Sequence, residues 1–251
     1  MMADAKTGDR IAAFFDLDGT LIPDPSLERR FFSQLRRNHA IPLTNYLRWG
    51  AEALRLLPKG LLVVQNNNKR YLTGVYRDLV FRHMESITFF EEAIRRVVWH
   101  ARQGHQIVLV SGTLEALAHL AATALECELE ARGVLLRPVV CATRLAENRG
   151  VWTGYIDGEG LYGTAKARCL QTLALMEKID LRESHAYGNN LLDRHMLCAV
   201  GHGHAVNPGR ELAALASGKN WPIWHWHHEK QLSSKQGACL PEEIHHSEGP
   251  A

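Results

Sequence analysis

The sequence predicts an α/β fold in which a doubly wound, mostly parallel sheet carries an inserted all-helical domain. Three observations lead to this reading. Short apolar runs of strand length alternate with segments of helical periodicity near the start of the chain and from residue 86 onward. Polar segments around Asp16, Ser111 and Gly188 each follow directly on a strand-like run. Between residues 24 and 85 only helical spacing occurs. Alternating strands and helices build a parallel sheet covered on both faces. Ligands of such sheets bind beyond the carboxyl ends of the strands, where the three polar segments would converge.

The elements follow in order. Ile11 to Phe15 is a brief apolar run that reads as a buried strand feeding Asp16-Leu17-Asp18-Gly19-Thr20. Asp24 could cap a helix with Pro25 at its first position, continued by Leu27, Phe31 and Leu35. Leu47, Ala51 and Leu54 mark a second helix ending near Pro58 and Gly60, and Leu72, Val75, Tyr76, Leu79 and Val80 a third. Thr88 to Glu91 has the form of a capping box for a helix through Ile94, Val97 and Val98. Ile107 to Val110 is a strand ending at Ser111-Gly112-Thr113, and a helix follows through Leu117, Leu120, Ala121 and Ala124. Pro138 to Thr143 reads as a strand, Val151 to Ile156 as part of a hairpin, and residues 164–177 as a helix. Ser184 to Tyr187 is a strand, Leu191 to Leu197 a short helix, and strands are expected near 199–206 and 221–226. His202 and His204 alternate with glycines and read as a turn. The division expected is a discontinuous core of residues 1–23 and 86–226, a helical insertion of 24–85 and a polar, flexible tail of 227–251.

Composition narrows the function classes. The chain has 251 residues, enough for one sizeable core with a small satellite. A balance of 29 basic against 27 acidic residues argues against nucleic-acid binding by bulk charge. No apolar run approaches the roughly 18 residues that would suggest a membrane span, and the polar stretch from Met1 to Arg10 does not resemble a secretory signal. Five cysteines with no C-x-x-C pair suggest reduced thiols in a cytoplasmic protein. The histidines of the tail, among them His225, His227, His228, His245 and His246, lack a fixed frame and are read as incidental. The sequence does not indicate an oligomeric state.

Asp16 and Asp18 lie two apart after a strand. Neighbouring carboxylates stay ionised together only when a cation or donors offset their charge, and magnesium prefers oxygen ligands. One carboxylate can then attack phosphorus, while the other protonates the leaving oxygen and later activates water.

The string Phe14-Phe15-Asp16-Leu17-Asp18-Gly19-Thr20-Leu21 resembles the first motif of the haloacid dehalogenase-like superfamily of phosphatases and phosphotransferases. Val108 to Gly112 resembles the second motif, Lys166 in Gly163-Thr164-Ala165-Lys166 the third, and Gly188-Asn189-Asn190-Leu191-Leu192-Asp193 the fourth. The insertion between the first and second motifs is similar to the cap of the phosphoserine-phosphatase-like branch (subfamily IB). This resemblance implies a Rossmann-like core and a magnesium-dependent phosphatase acting on a small-molecule phosphate ester. It assigns Asp16 as nucleophile and Asp18 as general acid and base, with Lys166 offsetting the charge. Ser111, the amide of Gly112 and Thr20 would serve the phosphoryl site, with Thr20 supporting the Asp18 loop. Asp16, Asp18, Asn189 and Asp193 would hold the metal.

Two departures matter. Asn189 stands where the family usually has aspartate, which removes one negative charge from the metal site. Pro25 stands nine positions after the nucleophile, where phosphoserine phosphatases carry a glutamate for the substrate ammonium. Glu28, Arg29, Arg70, Arg77 and Arg82 are the polar candidates of the insertion for choosing the leaving group. A phosphoryl-ligand binder without turnover and a phosphotransferase remain the alternatives.

Overall fold

The computed structural model describes residues 10–84 and 86–227. Met1 to Asp9, with Asp4, and the tail from His228, with His245, His246 and Cys239, lie outside the described residues.

The alternation of apolar runs becomes a six-stranded parallel sheet in the order β3-β2-β1-β6-β7-β8. Its strands are β1 (Ala12–Phe15), β2 (Gln106–Leu114), β3 (Val139–Thr143), β6 (His185–Gly188), β7 (His202–Val206) and β8 (Ile223–Trp224). β4 (Leu145–Asn148) and β5 (Val151–Ile156) form a separate antiparallel hairpin. The helices are α1 (Leu27–Arg37), α2 (Leu43–Leu56), α3 (Leu61–Asn67), α4 (Leu79–His83), α5 (Glu91–Arg102), α6 (Glu115–Glu130), α7 (Thr164–Glu177), α8 (Arg194–Cys198) and α9 (Arg210–Gly218).

Successive strand side chains point to opposite faces, and each face has its own core. Ala13, Phe15, Ile107 and Leu109 pack with α5 and α6. Ala12, Phe14, Val108 and Val110 pack with α7, α8 and α9. The strand order reverses beside β1: β2 and β3 extend to one side, β6 to β8 to the other. Asp16 and Asn189, which follow β1 and β6, therefore flank a topological switch point, where such sheets bind ligands.

Several local expectations are corrected. Ser26, not Asp24, caps α1, its hydroxyl accepting from the Arg29 amide at 3.4 Å. α5 begins at Glu91 after Phe90, with no side-chain cap, so the Thr88 capping box does not form. Burial of Phe90 and the bond from its amide to the Leu21 carbonyl at 3.0 Å fix that entry instead. β2 runs through Ser111 and Gly112 to Leu114. The third insertion helix is broken into a 3-10 turn at Arg70–Leu72 and the short α4. Gly74 takes φ +76° between them, and the amides of Gly74 and Arg77 bond to Trp152 and Gly150 of the hairpin segment. The second insertion helix has the expected extent, but its stripe faces outward: Leu47 is 77% and Leu54 72% exposed. No helix of the described residues is long and apolar enough to cross a membrane.

His202 and His204 lie on β7 rather than in a turn. Their glycines serve close packing: a Cβ on Gly201 would stand 1.7 Å from the Arg182 carbonyl oxygen. Gly201→Ala is expected to cost about 1–3 kcal/mol by overpacking. Gly50→Ala, in open space within α2, should stabilise by up to ~1 kcal/mol. Denaturant midpoints check both.

Candidate active site

β1 delivers Asp16 to the carboxyl edge of the sheet, and the Asp16 amide is tied to the Tyr187 carbonyl of β6 at 3.0 Å. β6 is followed by a 3-10 turn, Leu191–Asp193, that begins with a capping box. The Asp193 carboxylate accepts from the amides of Asn189 at 3.2 Å and Asn190 at 3.0 Å through Oδ2. Its Oδ1 faces Lys166, which enters from the first turn of α7. The Lys166 ammonium donates to Asp16 Oδ1 and Asp193 Oδ1, both at 2.7 Å. All three groups are buried. Two strand ends and one helix are thus joined by a single ammonium.

Ser111, near the end of β2, is buried and its Oγ accepts from the Thr113 amide at 3.2 Å. This leaves the hydroxyl proton free to donate. Asp18 turns toward the insertion, its Oδ1 accepting from the Leu27 amide at the start of α1 at 2.8 Å. Asn189 packs against the Asp18 loop: a Cβ on Gly19 would lie 2.0 Å from its side-chain nitrogen. Gly19, at φ +80°, is required for both that contact and the turn.

These groups open onto one cavity of about 650 Å³, lined by Asp16, Asp18, Ser111, Gly112, Lys166, Asn189 and Asp193. Thr20 does not line it; the residue is fully buried and its hydroxyl has no partner among the described residues. From the insertion, Glu28 and Arg29 reach the cavity. Arg70, Arg77 and Arg82 do not: Arg70 covers the Tyr155 ring, Arg77 pairs with Glu147, and Arg82 with Asp78.

Residues 13–197 match the family model for haloacid dehalogenase-like hydrolases. The chain belongs to that family. It is 30% identical over 229 residues to a probable phosphatase of Mycobacterium tuberculosis, covering 85% of this chain and 75% of the relative. It is 28% identical over 229 residues to a phosphoserine phosphatase of the same organism, covering 84% and 70%. A solved phosphoserine phosphatase, captured as a phospho-aspartyl intermediate analogue, shares the fold with TM-score 0.59 and 21% identity, covering 87% of this chain and 94% of its own.

Sequence reasoning missed the polar roof of this hydrolase cavity. Lys69, buried just before the 3-10 turn Arg70–Leu72, donates to Glu28 Oε1 at 2.5 Å, and Tyr71 donates to the same oxygen at 2.9 Å. Tyr162 joins Lys69 and lies across Gly112, where a Cβ would be 2.1 Å from its ring. Lys69 carries no motif spacing; only the folded insertion brings it to the cavity that Asp16 lines.

The electrostatics show what the floor can accept. Burial first, then repulsion from Asp193 and Asp18 against the pull of Lys166, pushes the Asp16 carboxyl from 3.8 up to about 7. Burial likewise raises Asp18 to about 6, opposed by the Leu27 amide. Lys166 is raised, because Asp16 and Asp193 outweigh its own burial. One ammonium faces three carboxylates, and the oxygen donors of Asp16, Asp193 and Asn189 are of the type a hard divalent cation takes, while the Asp18 carboxylate is turned to the Leu27 amide.

In chelator, the ionised Asp16 should weaken the fold. A carboxyl raised in the folded state contributes stability that is full below its ordinary 3.8 and lost as pH rises through about 7. Asp16→Asn is therefore expected to melt about 2–4 °C above the parent at pH 8, as for ~1 kcal/mol in a protein of this size. The gap should close by pH 4. Thermal melts across that range check it.

Proposed function

We propose that the protein is a magnesium-dependent phosphatase that hydrolyses a small-molecule phosphomonoester through an aspartyl-phosphate on Asp16. The observation that carries this reading is the Lys166 bridge between Asp16 and Asp193 on the cavity floor. It holds one Asp16 oxygen and leaves the other for attack on phosphorus.

The chain's own groups suffice to outline two steps. An Asp16 oxygen attacks phosphorus, the bond from phosphorus to the ester oxygen breaks, and Asp18 gives its proton to the departing alkoxide. Water then attacks phosphorus, Asp18 takes its proton, and the phosphorus–oxygen bond to Asp16 breaks, releasing inorganic phosphate. A group raised to about 6 is suited to both duties near neutral pH. Ser111 and the Gly112 amide donate to the phosphoryl oxygens, and Lys166 offsets the charge that develops there. Thr20 supports the Asp18 loop from behind. Asp16, Asp193, Asn189 and the Asp18 backbone carbonyl would hold magnesium, which supplies positive charge to the nucleophile and the transferring group.

The cavity argues for a substrate other than a plain amino-acid ester. Of the two insertion carboxylates that line it, Glu28 already holds Lys69 and Tyr71, so a substrate ammonium there would have to displace Lys69, and Asp24 is exposed to solvent. Aromatic Phe32, Trp49, Tyr71 and Tyr162 line the same space and favour an ester with an apolar or planar leaving group.

Hydrolysis of an aryl phosphate should require magnesium and fall at least ~1,000-fold in Asp16→Asn, an interaction made in the transition state being lost. Unchanged turnover in that variant would overturn the mechanism. Asn189→Asp restores a charged ligand and should lower the magnesium half-saturation by roughly tenfold, about 1.4 kcal/mol. A phosphate panel without turnover, alongside stabilisation by phosphate compounds, would favour a binding protein instead. Transfer to an added alcohol in place of phosphate release would mark a phosphotransferase.

A further inference from the structure

At the opposite strand ends from Asp16, five histidines meet beneath α5. His100 comes from that helix, His105 directly precedes β2, His185 opens β6, and His202 and His204 lie on β7. None lines the catalytic cavity. The His185 ring stacks on those of His202, His204 and His105, with centroids 4.6, 5.5 and 5.7 Å away. His100 and His105 bring their Nδ1 atoms to 2.9 Å. One ring nitrogen from each of His100, His105 and His185 falls within 4.8 Å of the other two.

We infer that His100, His105 and His185 form a second metal site, specific for a nitrogen-seeking transition ion such as zinc and separate from the magnesium site. Three imidazoles with a fourth position open to solvent are an established zinc coordination set. Tetrahedral bonds of about 2.0–2.1 Å place ligand nitrogens roughly 3.4 Å apart. The His100–His105 pair must open slightly to reach that spacing, and His185 must close. His105 and His185 are only half-buried, so their rings have room to turn.

The surroundings are those of a ligand shell. The Tyr187 hydroxyl lies 2.8 Å from His100 Nε2. With Nε2 donating there, Nδ1 keeps its lone pair for a ligand, the usual backing of a metal-bound histidine. The Trp224 indole donates to His204 Nδ1 at 3.3 Å, which leaves the His204 proton on Nε2, facing His185 Nδ1 at 3.2 Å; His185 must turn from that bond to offer its lone pair to the metal. Burial first, then neighbouring imidazoles, lowers His100 to about 2 and His185 to about 4, and burial lowers His105. No carboxylate belongs to the set. Arg96, held over the rings of Trp224 and Trp99, adds positive charge nearby. Magnesium and calcium, which need anionic oxygen, are thereby disfavoured, while imidazole suits zinc, nickel and copper.

The test titrates the full chain with cobalt(II), a coloured stand-in for zinc, in excess magnesium. The expected result is the visible absorption of four-coordinate cobalt at one ion per chain, displaced by zinc. His105→Gln and His185→Asn should each weaken binding at least tenfold, and together abolish the absorption. Near-ultraviolet circular dichroism and magnesium-dependent turnover should stay unchanged in both single variants. Absence of the absorption in the parent would overturn the inference. So would its full retention in the single variants, which would assign the metal to other histidines, including those of the tail.

Discussion

The Lys166 ammonium between Asp16 and Asp193 is the constraint on which the rest of the site depends. A buried ammonium is tolerated only when paired, and Lys166 keeps one carboxylate even when the other is protonated. Here one cation satisfies two carboxylates at 2.7 Å each. Each carboxylate is fixed from another side, Asp16 by the bond of its amide to β6 and Asp193 by two backbone amides. The ends of β1 and β6 and the first turn of α7 are thus held in register at the switch point. The floor nonetheless keeps an excess of negative charge, since Asp18 shares it. Burial, with repulsion from neighbouring carboxylates, raises Asp16 and Asp18; in the proposed mechanism this suits Asp18 to proton transfer near neutrality.

The insertion is coupled to this floor through specific bonds. The first amide of α1 holds Asp18, so the proposed acid–base group is oriented by the start of that helix. The roof is built from Glu28 of α1, Lys69 just before the 3-10 turn and Tyr71 of that turn. Tyr162 returns from the core to pack on Gly112 and meet Lys69. In the proposed mechanism, leaving-group selection and proton delivery would therefore share one structural unit.

Much of this was legible in the sequence because it is encoded locally. Strand-length apolar runs ending in Asp16, Ser111 and the Gly188 segment located the sheet edge, and Lys166, singled out by its resemblance to the third family motif, lies in the helix expected over 164–177. What could not be read depends on tertiary context. Gly74 and the hairpin break the third insertion helix, because backbone bonds across 74–77 and 150–152 compete with helical ones. The spacing of Leu47 and Leu54 reveals a helix but not which side it buries. Lys69 gains its role only when the folded insertion brings it to the cavity that Asp16 lines. The histidines come from α5, a loop and two strands, so no spacing announces their meeting. Thr20 lies in the motif by sequence, yet its side chain turns away from the cavity.

The central claim is that Asp16 forms a covalent bond to phosphorus. Rapid quenching of turnover into borohydride tests it most directly, because reduction converts an aspartyl-phosphate into homoserine. The account predicts homoserine at position 16, seen by peptide mass spectrometry, only when substrate and magnesium are both present. Rapid turnover with unmodified aspartate at position 16 would contradict it.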